Sequence, residues 1–138
     1  MGRILALDYG KKRTGIAVTD PLQIIATPLK TEESRELVGF LKKYFAAEPV
    51  EKVLIGFPLA LDGTPTDATA LVEKFFGQFQ KLFPHIPIEK VDERMSSKWA
   101  SDAIREMGLR KSQRQDKALI DQTAACMMLQ DYMQSARG

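Results

Sequence analysis

Four carboxylates stand where a divalent cation could be held against a phosphate: Asp8, the adjacent Asp92 and Glu93, and Asp121. Hydrolysis of a phosphodiester must stabilise an added negative charge and deliver a water in line with the leaving oxygen. Two divalent ions roughly 3.5–4 Å apart do both, and their hard oxygen ligands suit Mg2+ or Mn2+. Acids drawn from separate elements supply the cage, and without cations they repel one another. Basic residues lie close by in the chain. Lys11, Lys12 and Arg13 follow Asp8, and Arg94 follows Glu93. Arg110, Lys111, Arg114 and Lys117 crowd a second short stretch, in which Asp116 is the opposing charge. Such clusters suit the phosphates of a nucleic-acid backbone, although either one alone equally suits a solvated loop face. Aromatic residues are not interleaved with them, so stacking on nucleobases is not indicated.

These acids have to be positioned by secondary structure, and apolar periodicity predicts it. RILAL at 3–7 is a buried strand ending at Asp8, and a turn with Gly10 and Gly15 leads to a second strand at 15–20 and a third at 24–29. Short connections make these three an antiparallel meander. Leu37, Val38, Leu41, Tyr44 and Phe45 share one helical face within 32–46. A short apolar strand at 52–58 follows. Thr64 and Pro65 then read as the N-cap and first residue of a helix with Ala68, Leu71, Val72, Phe75, Phe79 and Leu82 along its stripe. A last strand at 86–92 delivers Asp92 and Glu93. Ser96 or Ser97 could cap a further helix through Trp99, Ala100, Ala103, Ile104 and Met107. Residues 108–116 read as a mobile basic loop, and a final Ala- and Met-rich helix covers about 117–134.

The order β-β-β-α-β-α-β-α-α predicts an α/β domain of ribonuclease-H-like layout. Its sheet has five strands, three antiparallel plus two parallel, with helices on both faces. Ligands in such sheets collect beyond the carboxyl ends of parallel strands, the end at which Asp8 and Asp92–Glu93 are expected. Adjacent strand residues point to opposite faces, so only one of Asp92 and Glu93 should reach the site. Each acid read alone keeps a second meaning: Asp8 as a turn former before a glycine, Asp121 as a solvent-facing helix residue. Small neighbours of Asp121, Ala118, Ala124 and Ala125, would let that helix approach the sheet closely.

Composition narrows the setting. A chain of 138 residues with 44% hydrophobic and 28% charged residues is the size of one globular domain, residues 1–138. A net charge of +2 says little about partners. Cys126 is the single cysteine and reads as a small buried hydrophobe. His85 is the single histidine, which leaves no zinc site. The apolar run at the N-terminus is too short for a signal peptide or membrane span, so a cytoplasmic location without membrane association is expected.

Four blocks resemble the YqgF/RuvX family, known as pre-16S ribosomal RNA nucleases and as Holliday-junction-resolvase-like proteins. They are LALDYGKKRTGIAVTD at 5–20, IGFPLALDGT at 55–64, DERMSS at 92–97 and KALIDQTAACMMLQDYM at 117–133. The resemblance implies a ribonuclease-H-like fold and a metal-dependent nuclease that matures the 5′ end of 16S ribosomal RNA, with four-way junction DNA as the older proposed substrate. It carries over Asp8, Glu93 (with Asp92 as the alternative) and Asp121 as metal-binding catalytic acids. It also points to Gly10, Lys12, Gly15, Gly56, Pro58, Asp62, Gly63, Thr64, Arg94 and Lys117 as substrate-side or structural positions. The chain departs from the family pattern at Ala60, where asparagine is common, at Met95-Ser96-Ser97, and at Ala118, where glycine is frequent. None of these touches the three acids. The expected assembly is a monomer or weak homodimer.

Two other classes fit parts of the pattern. A phosphate-binding ATPase of the actin–hexokinase type also uses an Asp-x-Gly turn, but it needs a duplicated domain and a second phosphate loop that this sequence lacks. A non-catalytic nucleic-acid-binding module would have no reason to retain all three acids.

Overall fold

The computed structural model describes residues 2–58, 64–92 and 117–137, with the backbone alone at Asp92, 117–121 and 135–137. Strand β1 (Arg3–Tyr9) alternates strictly between two apolar environments. Leu5 and Leu7 face one helical layer while Ile4 and Ala6 face the other. Strands β2 (Arg13–Thr19) and β4 (Val50–Phe57) repeat that two-sided pattern through Ile16/Ala17/Val18 and Val53/Leu54/Ile55. Strands buried on both faces must be central. With β3 (Ala26–Glu33) and β5 (Ile88–Asp92) they form a five-stranded sheet in the order β3-β2-β1-β4-β5. The β1–β2 and β2–β3 pairs are antiparallel, and β1–β4 and β4–β5 are parallel. The sheet is therefore the expected mixed one.

Helices α1 (Leu37–Ala47) and α2 (Asp67–Leu82) cover one face, and α3 (Lys117–Arg137) covers the other. Under α1 and α2 the core is large and aromatic. Phe79 is fully buried and touches Phe45, Phe75 and Phe83 edge-on or tilted, with ring centroids 4.9–6.3 Å apart. Fully burying a side chain of this size contributes about 1.5–3 kcal/mol. Under α3 the packing is finer: Ala6, Ala17, Ala124 and Ala125 have no exposed surface. Cys126 sits there too, its thiol donating to the Ala26 carbonyl at 3.4 Å and pushed up in pKa by burial. It is the structural cysteine the sequence suggested.

Element limits differ from the periodic reading in informative places. Helix α2 is capped by Thr66, not Thr64. The Thr66 and Thr69 hydroxyls each accept a backbone N–H of the other residue, a reciprocal capping box. Pro65 lies before the cap rather than inside the first turn. The buried stripe runs Thr69, Val72, Phe75, Phe79 and on to Phe83, while Ala68 and Leu82 are exposed. Strand β3 runs four residues further than expected, through the polar Lys30–Glu33 stretch that gave no apolar signal. As an edge strand with its middle exposed, it does not need one. A one-residue irregularity lies opposite Ile16/Ala17, and Pro28 sits there, where a missing N–H is tolerated. The helix expected after Ser96 or Ser97 and the basic loop at 108–116 fall outside the described residues.

Candidate metal and nucleic-acid site

Asp8 lies one residue before the end of β1 and is half-buried. By alternation it shares the α3 face with Ile4 and Ala6, while Tyr9 turns to the other face and stacks on Phe75 with centroids 4.5 Å apart. Burial there pushes the Tyr9 hydroxyl up in pKa, so it is a neutral phenol at physiological pH.

Across the sheet, Asp8 pairs with Gly15 of β2, and Gly15 pairs with Thr31 of β3. On the other side Leu7 pairs with Ile55. Continuing that register by one residue puts Gly56 beside Asp8, and Gly56 pairs with Val91 of β5. Asp8 therefore stands between two glycines. On its row of the sheet neither neighbouring strand contributes a side chain larger than hydrogen. Glycine within a strand weakens it, and such positions mark close approach by a ligand or another backbone. A hard oxygen donor set between two glycines fits a divalent cation and the phosphate it would hold.

The turn after Asp8 is tightly built. A side chain on Gly10 would put its Cβ 2.6 Å from the Arg13 carbonyl, so the close return of the chain there requires glycine. The Ser34 hydroxyl donates to the Gly10 carbonyl at 2.5 Å and receives the Thr14 hydroxyl at 2.9 Å, and the Ser34 N–H donates to the Lys12 carbonyl at 2.9 Å. Ser34 begins a short 3-10 turn, Ser34–Glu36. These bonds fix Lys11, Lys12 and Arg13, all exposed, beside Arg35 in one open pocket that also includes Glu33. Arg35 is thus part of the basic rim. Sequence reading missed it because it is 22 positions from Arg13 and joins the turn only through Ser34. It pairs with Glu33 at 2.7 Å, and that contact raises its pKa.

The other predicted site residues are brought to the same edge only as far as backbone allows. Strand β5 is parallel to β1 through β4 and ends at Asp92, level with Phe57 and one row beyond Val91. Helix α3 runs antiparallel to β1. Its Tyr132 hydroxyl receives Lys52 Nζ from the start of β4 at 2.7 Å, Cys126 lies over Ala26, and Gln122 donates through Nε2 to the Thr31 hydroxyl at 2.9 Å. The early turns of α3, which contain Asp121, therefore lie over the row of Asp8. Lys117 is the first residue of this helix. Glu93, Arg94, Arg110, Lys111 and Arg114 are outside the described residues, as are the side chains of Asp92, Lys117 and Asp121. Among the described residues no three potential ligands cluster, and Asp8 is the member of the predicted set whose side chain is placed.

Residues 2–135 match the profile of the family described as RuvX, Holliday junction resolvase. The chain belongs to this family. Among its curated relatives, a protein of Flavobacterium psychrophilum is 53% identical over 133 residues, covering 96% of this chain and 97% of its own. One from Bacteroides thetaiotaomicron is 45% identical over 137 residues and 99% of both chains. Both are named as pre-16S rRNA nucleases. As a member of this family with such relatives along its whole length, the chain is a nuclease. A solved structure of Thermus thermophilus RuvC in complex with a Holliday junction substrate superposes with a TM-score of 0.56 at 18% identity, over 100% of this chain and 97% of that one. That likeness establishes the ribonuclease-H-like fold.

Proposed function

We propose that this RuvX protein is a single-domain endonuclease that cleaves phosphodiester bonds of structured RNA at the 5′ end of pre-16S ribosomal RNA, using Mg2+ or Mn2+ held by Asp8, Glu93 and Asp121. The observation that carries the reading is Asp8 on a sheet row bounded by Gly15 and Gly56, with the early turns of α3 above it and a fixed basic rim beside it. The names of the relatives supply the RNA substrate. The alternation of β5 favours Glu93 over Asp92. Val91 packs on the face of Asp8, so along an extended chain the next residue of that parity is 93.

Each part has a task. Lys11, Lys12, Arg13 and Arg35 bind backbone phosphates and orient the strand across the β1–β2 turn, with Arg94, Arg110, Lys111, Arg114 and Lys117 extending that surface. Gly15 and Gly56 leave space for the scissile phosphate to approach Asp8. The three acids hold the divalent ions, which when bound supply charge stabilisation at the phosphate and an acidified water. The protein acts in the cytoplasm as a monomer or weak homodimer. No described helix is long and apolar enough to cross a membrane.

The family description favours a second substrate, four-way junction DNA. Incubating labelled precursor rRNA and a four-way junction side by side with Mg2+ separates the two. The proposal expects preferential cleavage of the RNA, lost in Asp8→Asn. Binding of both substrates without cleavage, in wild type as in the variant, would sink the catalytic reading. Millimolar Mg2+ or Mn2+ should also raise the melting temperature of the free protein, because cation binding to the folded state is linked to stability.

A further inference from the structure

Gln122 has no part in the chemistry read from the sequence, yet it makes a hydrogen bond that joins α3 to the sheet on the row of Asp8. Its side-chain amide donates to the Thr31 hydroxyl at 2.9 Å, and both residues are half-buried. Thr31 pairs with Gly15, and Gly15 with Asp8, so this contact ties the helix to the row from which the carboxylate rises. Gln122 immediately follows Asp121. The packing below is made by Ala124, Ala125 and the residues beyond them, one turn or more towards the C-terminus. Met128, Leu129 and Met133 anchor the helix further along, whereas nearest Asp121 the buried neighbours are Ala124 and Ala125, whose small smooth contacts do little to fix how far the amino end slides or tilts. A directional hydrogen bond from the helix to the edge strand does fix that.

We infer that Gln122, through Thr31, is a positioning residue that sets the height of Asp121 over Asp8 and so tunes the affinity of the site for its divalent cation. The inference rests on the reading of Asp8 and Asp121 as metal ligands. It has a specific consequence: groups that orient metal ligands change affinity for the ion more than they change fold.

Gln122→Met and Thr31→Val each delete the bond with little change of volume, and Thr31→Ser keeps the hydroxyl. Two readouts are taken on the full-length protein: Mn2+ binding measured directly by titration, and the Mg2+ midpoint of RNA cleavage. Deleting either partner should weaken Mn2+ binding and raise the Mg2+ midpoint by about tenfold, the lower end of the effect of losing a group that orients metal ligands. Cleavage at saturating Mg2+ should be nearly restored. Thr31→Ser should match wild type, and the double variant should be no worse than either single, since both remove the same bond. Unchanged Mn2+ affinity in both single variants would overturn the inference, as would additive losses in the double variant. So would a loss of activity that follows melting temperature and is not recovered by Mg2+. If wild type binds Mn2+ at the Asp8 site but cleaves neither nucleic acid, the nuclease reading fails while the binding arm still decides the role of Gln122. If Asp8→Asn leaves Mn2+ binding intact, the inference falls with the ligand assignment.

Discussion

Beneath α1 and α2 the sheet meets Phe75, Phe79 and Phe83, whereas beneath α3 it meets Ala124 and Ala125. The first face buries large rings against Leu5, Leu7, Val53 and Ile55, and hydrophobic stabilisation grows with the apolar area so removed from water. The second face buries Leu54, Met128, Leu129 and Met133 as well, but near Asp8 its contacts are alanine on alanine, which brings the helix backbone close to β1 and β2. Tyr9 and Asp8 show the division within two residues, one ring stacked into the aromatic core and one carboxylate on the alanine face. One layer serves stability, and the other brings α3 close over the row of Asp8.

This division can be broken from either side. The largest effect should come from Phe79→Ala, which empties the centre of the aromatic face and should cost about 3–5 kcal/mol in chemical denaturation. Cleavage per folded molecule should be retained, and a specific activity that fell in step with stability would erase the distinction between the faces. Next is Asp8→Asn. It should lower the cleavage rate by at least about a hundredfold, a transition-state loss of about 2.7 kcal/mol, while the urea midpoint stays near wild type. Ala125→Leu tests the second face itself. Overpacking should cost about 1–3 kcal/mol, and because it lifts α3 from the sheet, cleavage at limiting Mg2+ should fall further than the lost stability accounts for.

The smallest effect is expected at the opposite edge. Asp20 accepts the backbone N–H groups of Ile25 and Ile24 at 2.7 Å and of Leu22 at 3.1 Å. These bonds, the one from Ile25 foremost, hold its carboxyl below the usual carboxylate range. A depressed folded-state pKa contributes stability above the ordinary carboxylate pKa, and that contribution disappears as pH falls through the folded value. Asp20→Asn should therefore be slightly less stable than wild type at neutral pH, with the gap closing below about pH 4. A gap that persists in acid would assign the turn to Gln23 instead. That residue adopts a left-handed φ of 58° and donates to the Gly2 carbonyl at 2.8 Å.

Much of this architecture was readable from residue order because the central strands are buried on both faces and alternate without interruption. The meander, the two parallel strands and the register edge of Asp8 all follow from that. What escaped was decided by contacts between distant segments. Thr66 displaced Thr64 as the cap because its partner Thr69 is three residues on, inside a stripe that looked purely apolar. Strand β3 outran its apolar run because an edge strand needs hydrogen bonds from one neighbour only. Arg35 and Gln122 carried no pattern: one is recruited by Ser34, the other by Thr31, and neither partner is near in sequence. For Asp8 the family blocks and the strand end agreed. The choice between Asp92 and Glu93 still rests on the two-residue repeat of β5.

The direction of α3 has an electrostatic consequence of its own. Because the helix runs antiparallel to β1, its amino end, beginning at Lys117, lies over the edge where Asp8 stands. The unpaired N–H groups of a first turn amount to about half a positive charge. A helix that points its amino end at this edge favours negative charge there, whether on Asp8 or on the phosphates of a bound strand. Had the same helix run the other way, its carbonyl end would have disfavoured negative charge there.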